Sequence, residues 1–378
     1  MLTIGNVSVQ HTAGQARLCA DITLNGRGTT LWFGVEEGQE EYLCPRRSDA
    51  FVMALLPAAM RGGHDIVCQT PMSQRLHYQL TEYLIPTLWG AGDLYHPMSI
   101  RAPLEDKPVE NQKGVGTGFS GGVDCLYTVM THGKDSVYPL THLTVFNVGT
   151  FEGSAYRASF HNACQGALGF AREMGLETVF LDSNIVEVLP ERFLDVSSFR
   201  LIAGALALQG LFSMYLLSSS MDFSEFCIDL HSICDFDLLT LHCANTEALC
   251  FYSAGASVKR IRKLEALADW EPAHRWVHPC FVNGLGMKNC GRCKKCVRDM
   301  ISLYAMGKLD RFSPVFDIPA FQRALPQRLG MLLAKKDSRL NRESLALLEE
   351  KKIPIPAAAY ECEKQFRRAM EKLKEKTE

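Results

Sequence analysis

The chain is 378 residues long, 47% hydrophobic and 22% charged. That is the balance of a globular protein with room for two or three domains, each with its own core. A formal net charge of −2 excludes a global electrostatic drive toward nucleic acid or anionic membrane.

No stretch reaches about 18 uninterrupted apolar residues, so no membrane span is expected. The best candidate, 201–217, is broken by Gly204, Gln209, Gly210 and Ser213. Met1–Asn6 has no basic segment followed by an apolar run, so a cytoplasmic chain without a signal peptide is expected.

Residues 1 to about 46 read as strands at 7–9, 16–24 and 29–35, with Asn25-Gly26 as a hairpin turn. Ser48 or Asp49 is placed to cap a helix through Met60, which Gly62-Gly63 ends. A strand at 64–68 and a helix at 73–84 follow. Residues 1–105 are thus expected to form a small α+β domain, in which His77 and His96 read as ordinary surface or core histidines. Residues 102–113, with Pro103 and Pro108, read as a polar linker.

From residue 106 the pattern alternates. Strands are expected near 143–148, 178–182 and 213–217, and helices near 154–174, closed by Gly175, and 199–211. Such alternation predicts an α/β fold with a doubly wound parallel sheet, whose ligands sit at the carboxyl ends of strands. That brings the residue-120 turn, the 147–153 loop, Asp182-Ser183 and Ser218–Ser220 toward one crevice. The polar stretch 218–237 reads equally as a recognition loop or a solvated connection. An amphipathic helix is expected at 258–268, and residues 311–378 as a charged helical region.

The chemistry begins at Ser120-Gly121-Gly122-Val123-Asp124-Cys125. A small apolar run enters a glycine pair, and a helix-compatible segment leaves it. Strand, tight turn and helix gather backbone N–H groups where they can hold phosphate oxygens. Gly121 and Gly122 admit positive φ and keep Cβ atoms away from the anion. Ser120 adds a hydroxyl, and Asp124 is placed to hold Mg²⁺ or to orient the turn. There is no G-x-x-x-x-G-K-[ST] loop. Downstream, Arg260 and Lys263 lie at the start of the 258–268 helix. Cations there oppose the helix dipole, which suggests that they face an anion such as a polyphosphate.

Fourteen cysteines are scattered through apolar runs, where most read as reduced, buried hydrophobes. Cys280, Cys290, Cys293 and Cys296 stand apart, in the spacing Cys-x9-Cys-x2-Cys-x2-Cys. That set suits tetrahedral Zn²⁺, with an iron–sulfur cluster as the competing reading. Lys288, Arg292, Lys294, Lys295 and Arg298 are expected to offset the site's charge and to lower the thiol pKa values.

The S-G-G-x-D-S-like turn resembles the PP-loop of the ATP pyrophosphatase superfamily, with Cys125 in place of the last serine. Turn and cysteine run together resemble the 7-cyano-7-deazaguanine synthase family over about residues 114–305. The resemblance implies a PP-loop (adenine nucleotide alpha hydrolase-like) domain at 106–310 with a structural zinc knuckle. It implies ATP and Mg²⁺ at Ser120, Gly121, Gly122, Val123, Asp124 and Cys125, with adenine near Phe146, Asn147 and Val148. Catalytic roles fall to Asp124, Arg260 and Lys263, and Lys263-Leu264-Glu265 matches the family's K-x-E segment. The implied activity is ATP-dependent C–N bond formation with release of AMP and PPi. The group adenylated would be a small carboxylate or an amide, a 7-deazaguanine among the candidates.

The cysteine variant and the extra terminal regions suggest a divergent branch, similar to enzymes of anti-phage defence that join a deazaguanine to a partner protein. A protein acceptor and a homodimer are both compatible with this. Two other classes stay open: a catalytically degenerate, zinc-containing nucleotide scaffold or sensor, and a tRNA-modifying PP-loop enzyme.

Overall fold

The computed structural model describes residues 1–24, 26–151, 156–189, 191–282, 284 and 288–374. Asn25 of the expected hairpin turn, part of the 147–153 loop and the expected start of the 154–174 helix lie outside them. The strands are β1 (Leu2–Ile4), β2 (Ser8–Thr12), β3 (Gln15–Leu24), β4 (Arg27–Glu36), β5 (Ile66–Cys68), β6 (Met72–Ser73) and β7 (Ile100–Arg101). They continue as β8 (Leu104–Glu105), β9 (Gly114–Gly118), β10 (His142–Asn147), β11 (Glu177–Ser183), β12 (Phe212–Ser218) and β13 (Cys250–Ala254).

The chain divides into two compact units. One joins Met1–Phe119 to His132–Ala256, and the other joins Ser120–Thr131 to Ser257–Glu378. This differs from the division expected at residues 105 and 310.

The first unit carries an 11-stranded sheet in the order β13-β12-β9-β10-β11-β4-β3-β1-β5-β7, with β2 paired to β3. The β13-to-β11 stretch is parallel throughout. It starts in the middle at β9, winds outward to β11, then returns to β12 on the other side of β9. A winding reversal of this kind opens a crevice at the carboxyl ends of the strands beside it. The expected α/β class with a largely parallel central sheet is therefore present.

The N-terminal strands do not form a separate sheet. β4 pairs antiparallel with β11 through Asp182↔Gly34 and Ser183↔Phe33. Side chains extend this short seam. Asn184 Oδ1 accepts from the Trp32 amide (2.9 Å), Asn184 Nδ2 donates to Thr30 O (2.8 Å), and Ser183 Oγ donates to Trp32 O (2.7 Å).

Beneath the strands one apolar cluster includes Phe33, Phe51, Leu55, Phe146, Phe199 and Phe212. It thus draws from both sides of the expected boundary. Helix Asp49–Gly62 packs on helix Phe193–Ala207 within it. The residue-102–113 stretch is likewise no free linker: β8 pairs with β6, and Asn111 Nδ2 donates to Phe212 O (3.0 Å) and Ala248 O (3.1 Å).

Local departures have local causes. Ser48 makes no side-chain cap bond, and its hydroxyl donates instead to Pro71 O at 3.3 Å. The 73–84 helix is really a helix at Gln74–Gln79, capped by Ser73 Oγ, then a wide π turn at Leu80–Leu84, then Ile85–Gly90. Pro86 has no N–H to return to the preceding turn, so the ladder widens there. Gly63 (φ 60°) and Gly175 (φ 66°) end their helices in the left-handed region, as expected.

The second unit is helical among its described residues. Helix Val123–Thr131 packs on Arg260–Leu267, which in turn meets Lys294–Ala305 and Arg339–Glu350. Leu325–Ala334 packs on Ala357–Lys374 at Gly330, where a Cβ would stand 2.6 Å from Cys362 Cβ. The C-terminal region, expected as charged and helical, packs on the unit through part of its length, while most of 360–372 stays exposed or half-buried. Ser302 Oγ meets Ser344 Oγ (2.8 Å), and Glu343 accepts from the Ile261 amide (3.1 Å). No described helix is long and apolar enough to cross a membrane.

Candidate active site and metal centre

β9 ends at Gly118, and the chain turns through Ser120-Gly121-Gly122 into helix Val123–Thr131. Gly121 takes φ 70°, the left-handed conformation foreseen for it. Its carbonyl accepts from the His278 amide at 2.7 Å. Ser120 Oγ receives the Gly122 amide (3.3 Å) and donates to Cys125 Sγ at 3.7 Å. Among the described residues, no protein carbonyl accepts from the Val123 or Asp124 amide.

Cys125 is buried, and its thiol donates to Gly122 O at 3.2 Å. Desolvation raises its pKa, against the N–H and O–H groups of Ser120 and the N–H of Gly121, which pull it down. A buried, protonated thiol is a poor nucleophile. The sulfur also draws on donors that a phosphate would otherwise use.

Lys263 and Arg260 both reach Asp124. Lys263 Nζ stands 3.1 Å from Asp124 Oδ1 with its side chain only 1% exposed. Arg260 Nε stands 3.5 Å from Asp124 Oδ2. The terminal nitrogens of Arg260 are forked on Asp299, NH1 to Oδ1 at 2.8 Å and NH2 to Oδ2 at 3.2 Å. Arg298 Nε lies 3.5 Å from Asp299 Oδ1.

Burial opposes the charges of this group, but they are held by each other. For Asp299, Arg260 and Arg298 outweigh desolvation and keep its carboxyl below the usual range. For Arg260, Asp299 and Asp124 outweigh desolvation and raise its pKa. Lys295, although its side chain reaches the surface, is pushed down first by desolvation and then by Arg260 and Arg298. Four cationic side chains therefore gather round two carboxylates. That surplus of positive charge adjoins a glycine turn, an arrangement suited to an anion.

The helix dipole argument foresaw an anion for Arg260 and Lys263, and Asp124 and Asp299 are the protein's own anions there. With both Asp124 oxygens engaged by cations, its geometry suits orienting the turn better than ligating Mg²⁺. Glu265 of the K-x-E segment faces away and pairs with Arg262 at 2.7 Å.

The cysteines come together. The sulfurs of Cys280, Cys290, Cys293 and Cys296 lie within 4.8 Å of one another, with 3.4 Å between those of Cys293 and Cys296. Four sulfurs at 2.3 Å from one zinc stand about 3.8 Å apart, so the cluster fits a tetrahedral ion. Cys293 Sγ also accepts from the Cys296 amide and caps helix Lys294–Ala305. Asn289 braces the loop, donating to Val277 O (2.9 Å) and Val315 O (3.2 Å) while accepting from the Cys280 amide (3.3 Å).

The expected lowering of the thiol pKa values is reversed at Cys290 and Cys296. Burial first, and then neighbouring thiols, raise both. A metal ion bound among these sulfurs would displace their protons. Asn283 and residues 285–287 of the motif lie outside the described residues.

The adenine candidates lie on and just past β10 in the first unit. Phe146 stacks on Tyr215 with ring centroids 5.7 Å apart, and Val148 is buried in the core. Asn147 Nδ2 donates to Asp182 Oδ1 at 2.6 Å. The side chains of Phe146 and Val148 serve packing, which leaves backbone groups as what the strand end offers a ligand.

Sequence reasoning missed Asp299, Asn289 and His278. Asp299 stands one helical turn beyond Cys296 on a helix that the cysteines start, but nothing in the sequence marks its burial beside Arg260. The amide of His278 could not be foreseen, since its contact depends on tertiary placement. No protein-family model matches the chain, and no curated protein matches it.

Proposed function

We propose that the chain is an ATP-dependent ligase that cleaves ATP between its α- and β-phosphates and forms a C–N bond. The observation that carries this reading is the buried Lys263 ammonium, held by Asp124 at the start of the helix that leaves the Ser120–Gly122 turn. In this reading the Val123 and Asp124 amides and the Lys263 ammonium bind phosphate oxygens. An oxygen of a small carboxylate or amide, a 7-deazaguanine acid among the candidates, attacks the α-phosphorus. The bond to the bridging oxygen breaks, and PPi leaves with its electron pair. Lys263 offsets the charge that grows on the phosphate oxygens. A nitrogen nucleophile, free or on an acceptor protein, then attacks the activated carbon, and AMP leaves.

Cys280, Cys290, Cys293 and Cys296 would hold Zn²⁺ as a closed, structural site, because four thiolates fill its coordination. ATP and Mg²⁺ supply the usual charge-shielded triphosphate, and no step here depends on where the magnesium sits.

The test is to incubate the protein with ATP, Mg²⁺ and candidate acids and to resolve the nucleotide products. AMP with PPi is expected, whereas ADP with phosphate overturns the proposal. The position of Cys125 favours one second reading, a nucleotide-binding scaffold or sensor, because its sulfur takes up Ser120 donors. Stoichiometric ATP binding with no AMP formed for any acid would select it.

A further inference from the structure

The carboxylate of Asp299 lies outside the turn, outside the metal ligands and outside the cations that were expected to meet phosphate. It is fully buried and has both oxygens on Arg260. Charge buried this completely is costly unless its partner is fixed, so the fork sets the plane of the guanidinium. With that plane fixed, Nε is the nitrogen that meets Asp124, at 3.5 Å. A guanidinium free to rotate would present its two terminal nitrogens to the carboxylate, the geometry that such pairs favour. Asp124 would then be drawn onto Arg260 and away from Lys263, 3.1 Å from its other oxygen. The same helix starts at the cysteine cluster, which gives Asp299 a rigid base.

We propose that Asp299 is a positioning residue of the nucleotide site: by holding Arg260 in a fork it keeps Asp124 and the Lys263 ammonium in place beside the Ser120–Gly122 turn. This rests on the reading of that turn as a phosphate site. The effect belongs to the phosphates and not to the nucleoside. It also passes through Arg260, so it vanishes when Arg260 is gone.

The experiment measures the affinities of the full-length, metal-loaded protein for α,β-methylene-ATP and for adenosine by calorimetry. It compares wild type, Asp299→Asn, Arg260→Met and the double variant Arg260→Met/Asp299→Met. Asp299→Asn is expected to weaken the triphosphate by about 10- to 100-fold, the range for a lost charge-assisted hydrogen bond, with adenosine unchanged. Arg260→Met and the double variant are expected to show the same triphosphate-to-adenosine ratio, since Asp299 acts on Asp124 through Arg260, and Arg298, its other neighbour at 3.5 Å, is present in both.

A merely structural carboxylate would lower the melting temperature and leave that ratio intact, which overturns the inference. So does a double variant whose ratio differs from that of Arg260→Met. The double variant removes both buried charges, so it gives a foldable comparison if the single ones do not fold. If the wild-type protein binds neither probe, the phosphate-site reading fails and the inference falls with it. If wild type binds both and Asp299→Asn keeps the ratio, the inference alone fails.

Discussion

Lys263 is held almost out of solvent beside the Asp124 carboxylate, and a buried lysine charge is costly unless it is used. Lys263→Met keeps the stem and removes the charge. AMP formation is expected to fall by about 10²-fold or more, the scale of losing one electrostatic contact to a transition state, with the fold retained by circular dichroism. A second residue speaks to stability. Burial pushes Asp237 up to about 7, opposed by a hydrogen bond from Ser198 Oγ. Between the ordinary carboxylate value and about 7 the folded chain keeps this proton and the unfolded chain does not. The contribution is therefore complete at low pH and is lost as pH rises through about 7. Each tenfold difference in proton affinity between the folded and unfolded chain is worth about 1.4 kcal/mol. Asp237→Asn is expected to flatten this decline in melting temperature between about pH 4 and pH 7. A parallel decline in the variant would assign it to other groups.

At the scale of elements, the knuckle and helix Lys294–Ala305 are one device, since Cys293 both joins the sulfur cluster and caps the helix. One zinc per chain is expected by elemental analysis. Cobalt in its place should give the visible bands of a tetrahedral thiolate site. Chelation under reducing conditions is expected to lower the melting temperature and to expose amides of 294–305 to hydrogen exchange, and Cys296→Ser should do the same without a chelator. Iron with inorganic sulfide in the purified protein would select the competing cluster. This device was legible because ligand spacing is local: cysteines three residues apart can turn their sulfurs toward one ion. The glycine turn was legible for the same reason, since Gly121 at φ 70° answers a purely local demand. The ion network was half legible. Asp124, Arg260 and Lys263 were named from motif and charge, but Asp299 reads in sequence as an ordinary helical aspartate. Only its burial beside Arg260 gives it meaning.

At the scale of the molecule, the alternation of strands and helices after residue 106 was enough to foresee the parallel strands β9 to β12, but not β13 at Cys250–Ala254. The first hundred residues were readable as elements and not as a place in the fold. Their strands alternate like those of any small α+β domain, and nothing in a sequence says that β4 will lie beside β11. The register rests on two residue pairs, with Ser183 and Asn184 side chains continuing it. Asn184→Ala removes two of those bonds and is expected to cost about 1–3 kcal/mol, read by denaturant unfolding.

The seam also says what would happen if the chain were cut at residue 105. Strand β11 would keep its neighbour β10 and lose β4, leaving the backbone of Asp182 and Ser183 bare toward water. An open strand margin is an invitation to other chains, so a shortened protein of residues 106–378 should self-associate, forming mixed oligomers by light scattering where the full chain does not. The N-terminal strands would then be acting as a hem on the parallel sheet, guarding its solubility whatever else they recognise.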